Sequence, residues 1–383
     1  MIFEALPLFA SLGEYERQAD MLLAAHAIGD PVAVGFFHNH LPRFLDETVT
    51  WLPKSISATE VRQTKLEIDD ARLAVARGYS YRDWAALAAH VEAVNQPGTS
   101  IRQFESAAEA VITGDEVTLR GMLEADPGLV QARSRRVTCH DPPTHRATLL
   151  HYLGANGIES YRQRSPQNAV AIGAILLEAG AEVDSLAEMY GGHCTTMSML
   201  VSSTPPAEAL VQVGLINLLL DHGAAIEGVG ESQWKSPLVT ALVFGFLEAA
   251  ETLVARGASV GVVAAAGLGR VRDVVGLLPA TGESERHRAF ALAAQLGHAQ
   301  VVRVLLDSGE TPDQYNPEGF HSHGTALHHA ALGGHHEVIR LLIERGARLD
   351  IKDTLWRGTP LGWALHAKRE NVAQFLRANG ARD

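Results

Sequence analysis

The stretch GTALHHAALGGHHEVIRLLIERGARLDIKD, from Gly324 to Asp353, is followed at Gly358 by GTPLGWALHAKRENVAQFLRANGARD. Thr325 and Thr359 stand 34 positions apart, so the two read as copies of one unit. Each part of the unit has a physical reason. Thr325 can cap a first helix by accepting from its free amides. Ala330 and Ala331 are small enough for stacked helices to approach. Gly334 permits a tight turn into a second helix. Leu341 and Leu342 bury against the neighbouring unit, and Gly346 ends the second helix in a left-handed conformation. A helix–turn–helix unit repeated at this period reads as a stacked helical array.

The same skeleton recurs upstream. HRAFALAAQLGHAQVVRVLLDSG from His287 and KSPLVTALVFGFLEAAETLVARGASV from Lys235 are good matches. VAAAGLGRVRDVVGLL from Val263 is short. The units from Cys194 and Ala147 carry insertions near 204–213 (TPPAEALVQV) and 161–167 (YRQRSPQ), and Ala107 lies in a leading helix pair. About eight units run from residue 101 onward. Their Thr-x-Leu-His start, alanine pair, Gly-His turn and leucine-rich helix ending in Gly-Ala resemble the ankyrin repeat, whose period is ~33 residues. The resemblance implies an all-α ankyrin-repeat solenoid over 98–383. It also implies a binding or scaffold role, with a protein partner held along the concave face and loop tips, since few members of that family are enzymes. It further implies that His151 and His328, in the Thr-x-x-His slot, tie a helix start to the neighbouring loop. His335 and His336, after the turn glycine, read as structural too.

Residues 1–97 form a separate helical region in this reading. Gly29-Asp30 and Pro42 are spaced like Gly114-Asp115 and Pro127, which predicts a diverged helix pair. Leu66, Ile68, Ala71, Leu73 and Ala74 predict a single helix over 59–77. Ser80 with Asp83 predicts a capping box before a helix carrying Trp84, Leu87 and Val91 on one face. NQPGTS (95–100) reads as the joint to the array. ARLAVARGYSYRDWAALAAHVEAV resembles a segment found ahead of ankyrin repeats in a group of bacterial proteins, which implies a bacterial source.

Composition narrows the function. Of 383 residues, 46% are hydrophobic and 20% charged, as in ordinary folded chains. A formal net charge of −12 disfavours nucleic acid as a partner. No stretch approaches the ~20 apolar residues that span a bilayer, so no membrane is expected. The apolar start carries Glu4 and no basic segment, and Cys139 and Cys194 are too few for a disulfide framework, which together point to the cytoplasm. Gly191-Gly192 lacks the strand–glycine–helix setting of a phosphate cradle, and no cofactor is implied.

Charge is uneven, and this marks a candidate site. Residues 131–164 hold six Arg, no Lys and two acids, net +4, against −16 for the rest. Arg135, Arg136, Arg146, Arg162, Arg164, Tyr161 and Gln163 are candidates for binding an anionic small molecule or an acidic partner, because the guanidinium fork suits carboxylates and phosphates. The alternative is a solvated loop paired with nearby acids. His145, His193, Tyr161 and Tyr190 are candidate acid–base groups for a pocket between the repeats starting near His145 and His193. Cys139, His140 and Cys194, with His145 and His193, carry metal-ligating atoms in no known finger spacing. A second candidate is a strip of loop tips: His321 and His323, then Trp356 and Arg357 one repeat later, residue types enriched in interface hot spots.

Overall fold

A computed structural model describes residues 4–155, 158–189, 192–230 and 235–382. They divide into two compact units. One comprises 4–225 with 229–230, and the other 226–228 with 235–382. The expected joint near 97 falls inside the first unit. Thr99 caps the next helix, and its hydroxyl donates back to the Ala93 carbonyl at 2.6 Å. Arg102 donates to the Val94 carbonyl at 2.9 Å.

The first unit opens with the helices Leu12–Ala27 and Pro31–His40. Between them Gly29 is left-handed and Asp30 accepts from the Val32 and Ala33 amides. The helices Ser100–Thr113 and Glu116–Ala125 repeat this design, with Gly114 left-handed and Asp115 accepting from Thr118. Pro42 and Pro127 each start a short 3₁₀ turn after the second helix. The predicted likeness is therefore present in backbone and caps alike. The predicted helix over 59–77 is two helices, Ala58–Gln63 and Ile68–Gly78. Two start signals lie within it: Glu60 bonds back to the Ser57 amide and Asp70 to the Glu67 amide. Ser80 is not a cap. It is left-handed, closing the preceding helix, and Asp83 caps Trp84–Asn95 by accepting from Ala86. Tyr79, Phe37, Leu22 and Leu87 fill the core beneath these helices.

Two more pairs complete the first unit: Leu149–Gly154, wound as 3₁₀, with Ala169–Glu178, and Thr196–Leu200 with Gln212–Asp221. The insertions carry short helices of their own, Ser160–Arg162 and Thr204–Glu208. Strands Ala187–Met189 and Gly192–Cys194 pair antiparallel, placing Glu188 opposite His193.

The second unit is five helix pairs: Pro237–Val243 with Leu247–Ala255, Val262–Gly267 with Val271–Leu277, Glu283–Gln295 with Ala299–Asp307, Ala326–Gly333 with His336–Glu344, and Pro360–His366 with Glu370–Ala378. With the three pairs after residue 100, this is the all-α ankyrin-type array that the repeat predicts. Runs of alanine, such as Ala264–Ala266 and Ala289, Ala291, Ala293 and Ala294, let the first helices of successive pairs lie close. Leu341 and Leu342 are buried as expected, each contributing about 2 kcal/mol. Among the described residues no single helix is long and apolar enough to cross a membrane.

Two recurring contacts set the stacking. The first is the Thr-x-x-His cap. In His328, Nδ1 accepts from the Thr325 amide at 3.2 Å, and Nε2 donates to the Gly358 carbonyl of the next repeat at 3.2 Å. His151 does the same with Thr148 and the Cys194 carbonyl. The second is a socket at the turn glycine. The residue capping the second helix of one pair packs over the turn glycine of the pair before: Asn168 over Gly114, His298 over Gly269, His335 over Gly297 and Arg369 over Gly334. His298 and His335 also donate to the carbonyls of Gly267 and Gln295 at 2.8 and 2.9 Å. These turns need glycine twice over. Gly297 has φ +82°, and a Cβ there would lie 2.5 Å from His335 Nδ1.

Candidate functional site

The arginine-rich segment does not form one positive surface. Arg136 and Arg162 are buried, facing two buried carboxylates. Arg136 grips Glu105 with both ends of its fork, Nε to Oε1 at 3.1 Å and Nη2 to Oε2 at 2.8 Å. Arg162 Nη1 lies 2.8 Å from Glu105 Oε2 and donates to Glu159 Oε2 at 3.2 Å. Tyr152 donates to the other Glu159 oxygen at 2.7 Å. Burial alone would raise the Glu105 carboxyl, but Arg136 and Arg162 outweigh it and hold it at about 2. Glu159 is likewise held well below its ordinary value against burial, chiefly by Arg136. The buried pair of arginines is balanced by Glu159, already counted in the +4 of residues 131–164, and by Glu105 from outside the segment, which removes one charge of the four.

The other arginines differ. Arg164 is half exposed and paired with Glu109 at 2.6 Å. Arg135 and Arg146 are exposed on the segment's outer side. Gln163 is half-buried. Tyr161 packs its ring against Tyr79 and beside both buried guanidinium groups, 5.5 Å from Arg136 and 5.8 Å from Arg162.

Among the described residues the candidate acid–base groups are not brought together. His145 is fully buried; its Nδ1 accepts from the Ala147 amide, and its Nε2 bonds Glu159 at 2.9 Å. It is therefore part of the buried network. His193 points to solvent opposite Glu188, although the strand bearing Glu188 bonds the His145 carbonyl. Tyr190 lies outside the described residues. Cys194 is buried, its thiol directed at the carbonyls of Met189 and Gly192 and raised to about 11 by burial. Cys139 is half-buried and His140 exposed. Among the described residues no group of His, Cys, Asp and Glu is arranged to hold a metal ion.

Glu105, Tyr15, Tyr81 and His90 were not candidates on sequence. Glu105 had a readable signal: it stands three and seven positions before Ala108 and Ile112, on the buried face of its helix.

The loop tips of the second unit do align. The Thr354 amide donates to the His323 carbonyl at 2.9 Å. The rings of His323 and Trp356 meet at 5.0 Å, and His321 and His323 both pack on His329, at 5.2 and 6.0 Å. His321 adopts a left-handed backbone. Both rings gather on one side. Asp353 builds the tip: fully buried, it accepts from the amides of Leu355, Trp356 and Gly358 and from the Trp363 indole at 3.0 Å. Trp356 is left 55% exposed, beside the exposed Arg357.

Residues 290–382 match the family model of ankyrin repeats, in three copies. The ankyrin repeat and KH domain-containing protein mask-1 of Caenorhabditis elegans is 26% identical over 221 residues, 54% of this chain and 8% of that protein. Inversin of Danio rerio is 38% identical over 71 residues, 18% of this chain and 7% of that protein. The chain thus spans less than a tenth of the length of these relatives. Among solved structures, the human ASB11 ankyrin repeat domain is 21% identical, with a TM-score of 0.37, covering 72% of this chain and 98% of that one.

Proposed function

We propose that this chain is a binding protein that recognises a protein partner through the loop tips of its second unit, centred on His321, His323, Trp356 and Arg357, with the adjoining first helices as the concave wall. The observation that carries the reading is the Asp353 scaffold. Four hydrogen bonds to one buried carboxylate fix a loop whose outward product is an exposed Trp and Arg. Rigid aromatic and Arg groups are the types that anchor interfaces, since little freedom is lost when they bind. The repeats that supply both loops lie within the stretch matching ankyrin repeats, modules that generally mediate protein–protein contacts.

The test places a photo-cross-linking amino acid at 356, or at 275 on the helix Val271–Leu277, in cells producing the protein. Val275 is as exposed as Trp356 but belongs to the second helix of its pair. A discrete adduct from 356 that is absent from 275 is the expected result. The same adducts from both positions, or none from 356, would overturn the assignment.

A further inference from the structure

The first unit contains a cavity of about 190 Å³ whose walls offer more hydrogen-bond donors than the protein satisfies. Residues 5–8 line one side, held by the Leu6 amide donating to the Tyr79 hydroxyl at 2.9 Å. Arg136 and Arg162 line it opposite aromatic rings. The two side chains are only 3% and 4% exposed, and Arg136 Nη1 and Arg162 Nε, which lack an acceptor, are themselves sealed off from the cavity. The hydroxyls of Tyr15, Tyr81 and Tyr161 have no hydrogen-bond partner among the described residues. The one carboxylate on the wall among the described residues, Glu109, is already taken by Arg164.

Such a donor excess calls for an acceptor, because an unmatched buried N–H or O–H costs free energy. Sign follows from position. At the Tyr15 hydroxyl Arg136 and Arg162 favour negative charge, and at Tyr161 the same two arginines act more strongly than Glu159 and Glu105, which oppose it. The phenols of Tyr15 and Tyr161 are raised, first by burial, so they remain donors at neutral pH. Apart from His90 and the pair of Arg164 with Glu109, the rest of the wall is apolar: residues 5–8, Val91 and Val94. A planar carboxylate fits guanidinium edges and leaves no third oxygen against that apolar wall, as a phosphate would. The volume admits on the order of a dozen water-sized groups.

We propose that this cavity binds a small monocarboxylate with an aromatic or aliphatic body, its carboxylate received by Arg136, Arg162 and the Tyr15 and Tyr161 hydroxyls. The site is independent of the loop-tip surface and would operate with or without it.

Calorimetric titration of the full chain with benzoate, hexanoate, benzamide and inorganic phosphate tests this. One carboxylate at least should saturate a single site with a dissociation constant below about 1 mM, and benzamide and phosphate should bind at least about tenfold more weakly. The double variant Tyr15→Phe, Tyr161→Phe removes only unpartnered hydroxyls; it should melt like the native protein and bind about tenfold more weakly. Amide shifts on the native protein, confined to residues 5–8 and 90–94, locate the site without any variant. Saturation by neither carboxylate, benzamide binding as tightly as benzoate, native affinity in the double variant, or shifts centred elsewhere would each overturn the proposal.

Discussion

Replacing Glu105 by Gln keeps shape and removes one buried negative charge. Two guanidinium groups would then share Glu159 alone, leaving a net positive charge with no access to solvent. Breaking a buried pair from one side typically costs about 3–5 kcal/mol. The titration of the site gives the same scale: holding the carboxyl at about 2 against an ordinary 4.5 is equivalent to about 3 kcal/mol at neutral pH. For a unit of this size, 3 kcal/mol lowers the melting midpoint by about 6–12 °C. The sign with pH follows from a folded-state value that is depressed. Glu105 contributes fully above pH 4.5 and loses its contribution as pH falls toward about 2, so this part of the acid limb should vanish in Glu105→Gln. Adding Arg162→Met restores the charge balance and leaves the pair of Arg136 with Glu159, so the double variant should be more stable than the single one. Scanning calorimetry and urea unfolding between pH 2 and 7 measure all three proteins. A loss under about 1 kcal/mol in Glu105→Gln, the range of an exposed pair, or no recovery in the double variant, would refute the reasoning.

Gly297→Ala should cost about 1–3 kcal/mol more than Gly309→Ala in urea unfolding. Both glycines are left-handed, but only the Gly297 site is occupied, by the His335 ring, so adding His335→Ala should close most of the gap. His329 is buried with Nε2 unpartnered, and burial followed by His321 and His323 holds it at about 3. The unfolded chain therefore binds its proton first as pH falls from 6.5, and the native state loses up to about 1.4 kcal/mol per pH unit until about 3. His329→Phe should flatten the stability of the second unit over that range, and an unchanged slope would show that His329 is not the titrating group.

The repeats were legible because their signals are local and recur. Thr325 with His328, the turn glycines and the alanine pairs each act within one helix start or one turn, so copies can be aligned without knowing the packing. The region before residue 98 has no such register. There the helix over 59–77 hid two start signals, and Ser80 looked like a cap because a capping box is a spacing whereas a left-handed backbone is not. The arginine cluster misled for a different reason. Counting charge along 131–164 assumes that neighbours in sequence share a surface, yet Arg136 is neutralised by Glu105, 31 positions away. The loop-tip strip was readable as residue types, but its organiser, Asp353, is an ordinary acid in sequence and becomes distinctive only through four donors converging on it.

The turn sockets give the array a grammar of addition. The turns at Gly114, Gly269, Gly297 and Gly334 each offer a place that the following pair occupies, so the stack has a direction, and pairs can be appended on one side alone by this contact. At the last described turn the position belongs to Lys368, which adopts φ +56° despite its side chain. That place is already filled from within. A designer adding a pair against this turn would first have to write Lys368→Gly, because a histidine from the added pair would otherwise meet a Cβ where His298 and His335 met none.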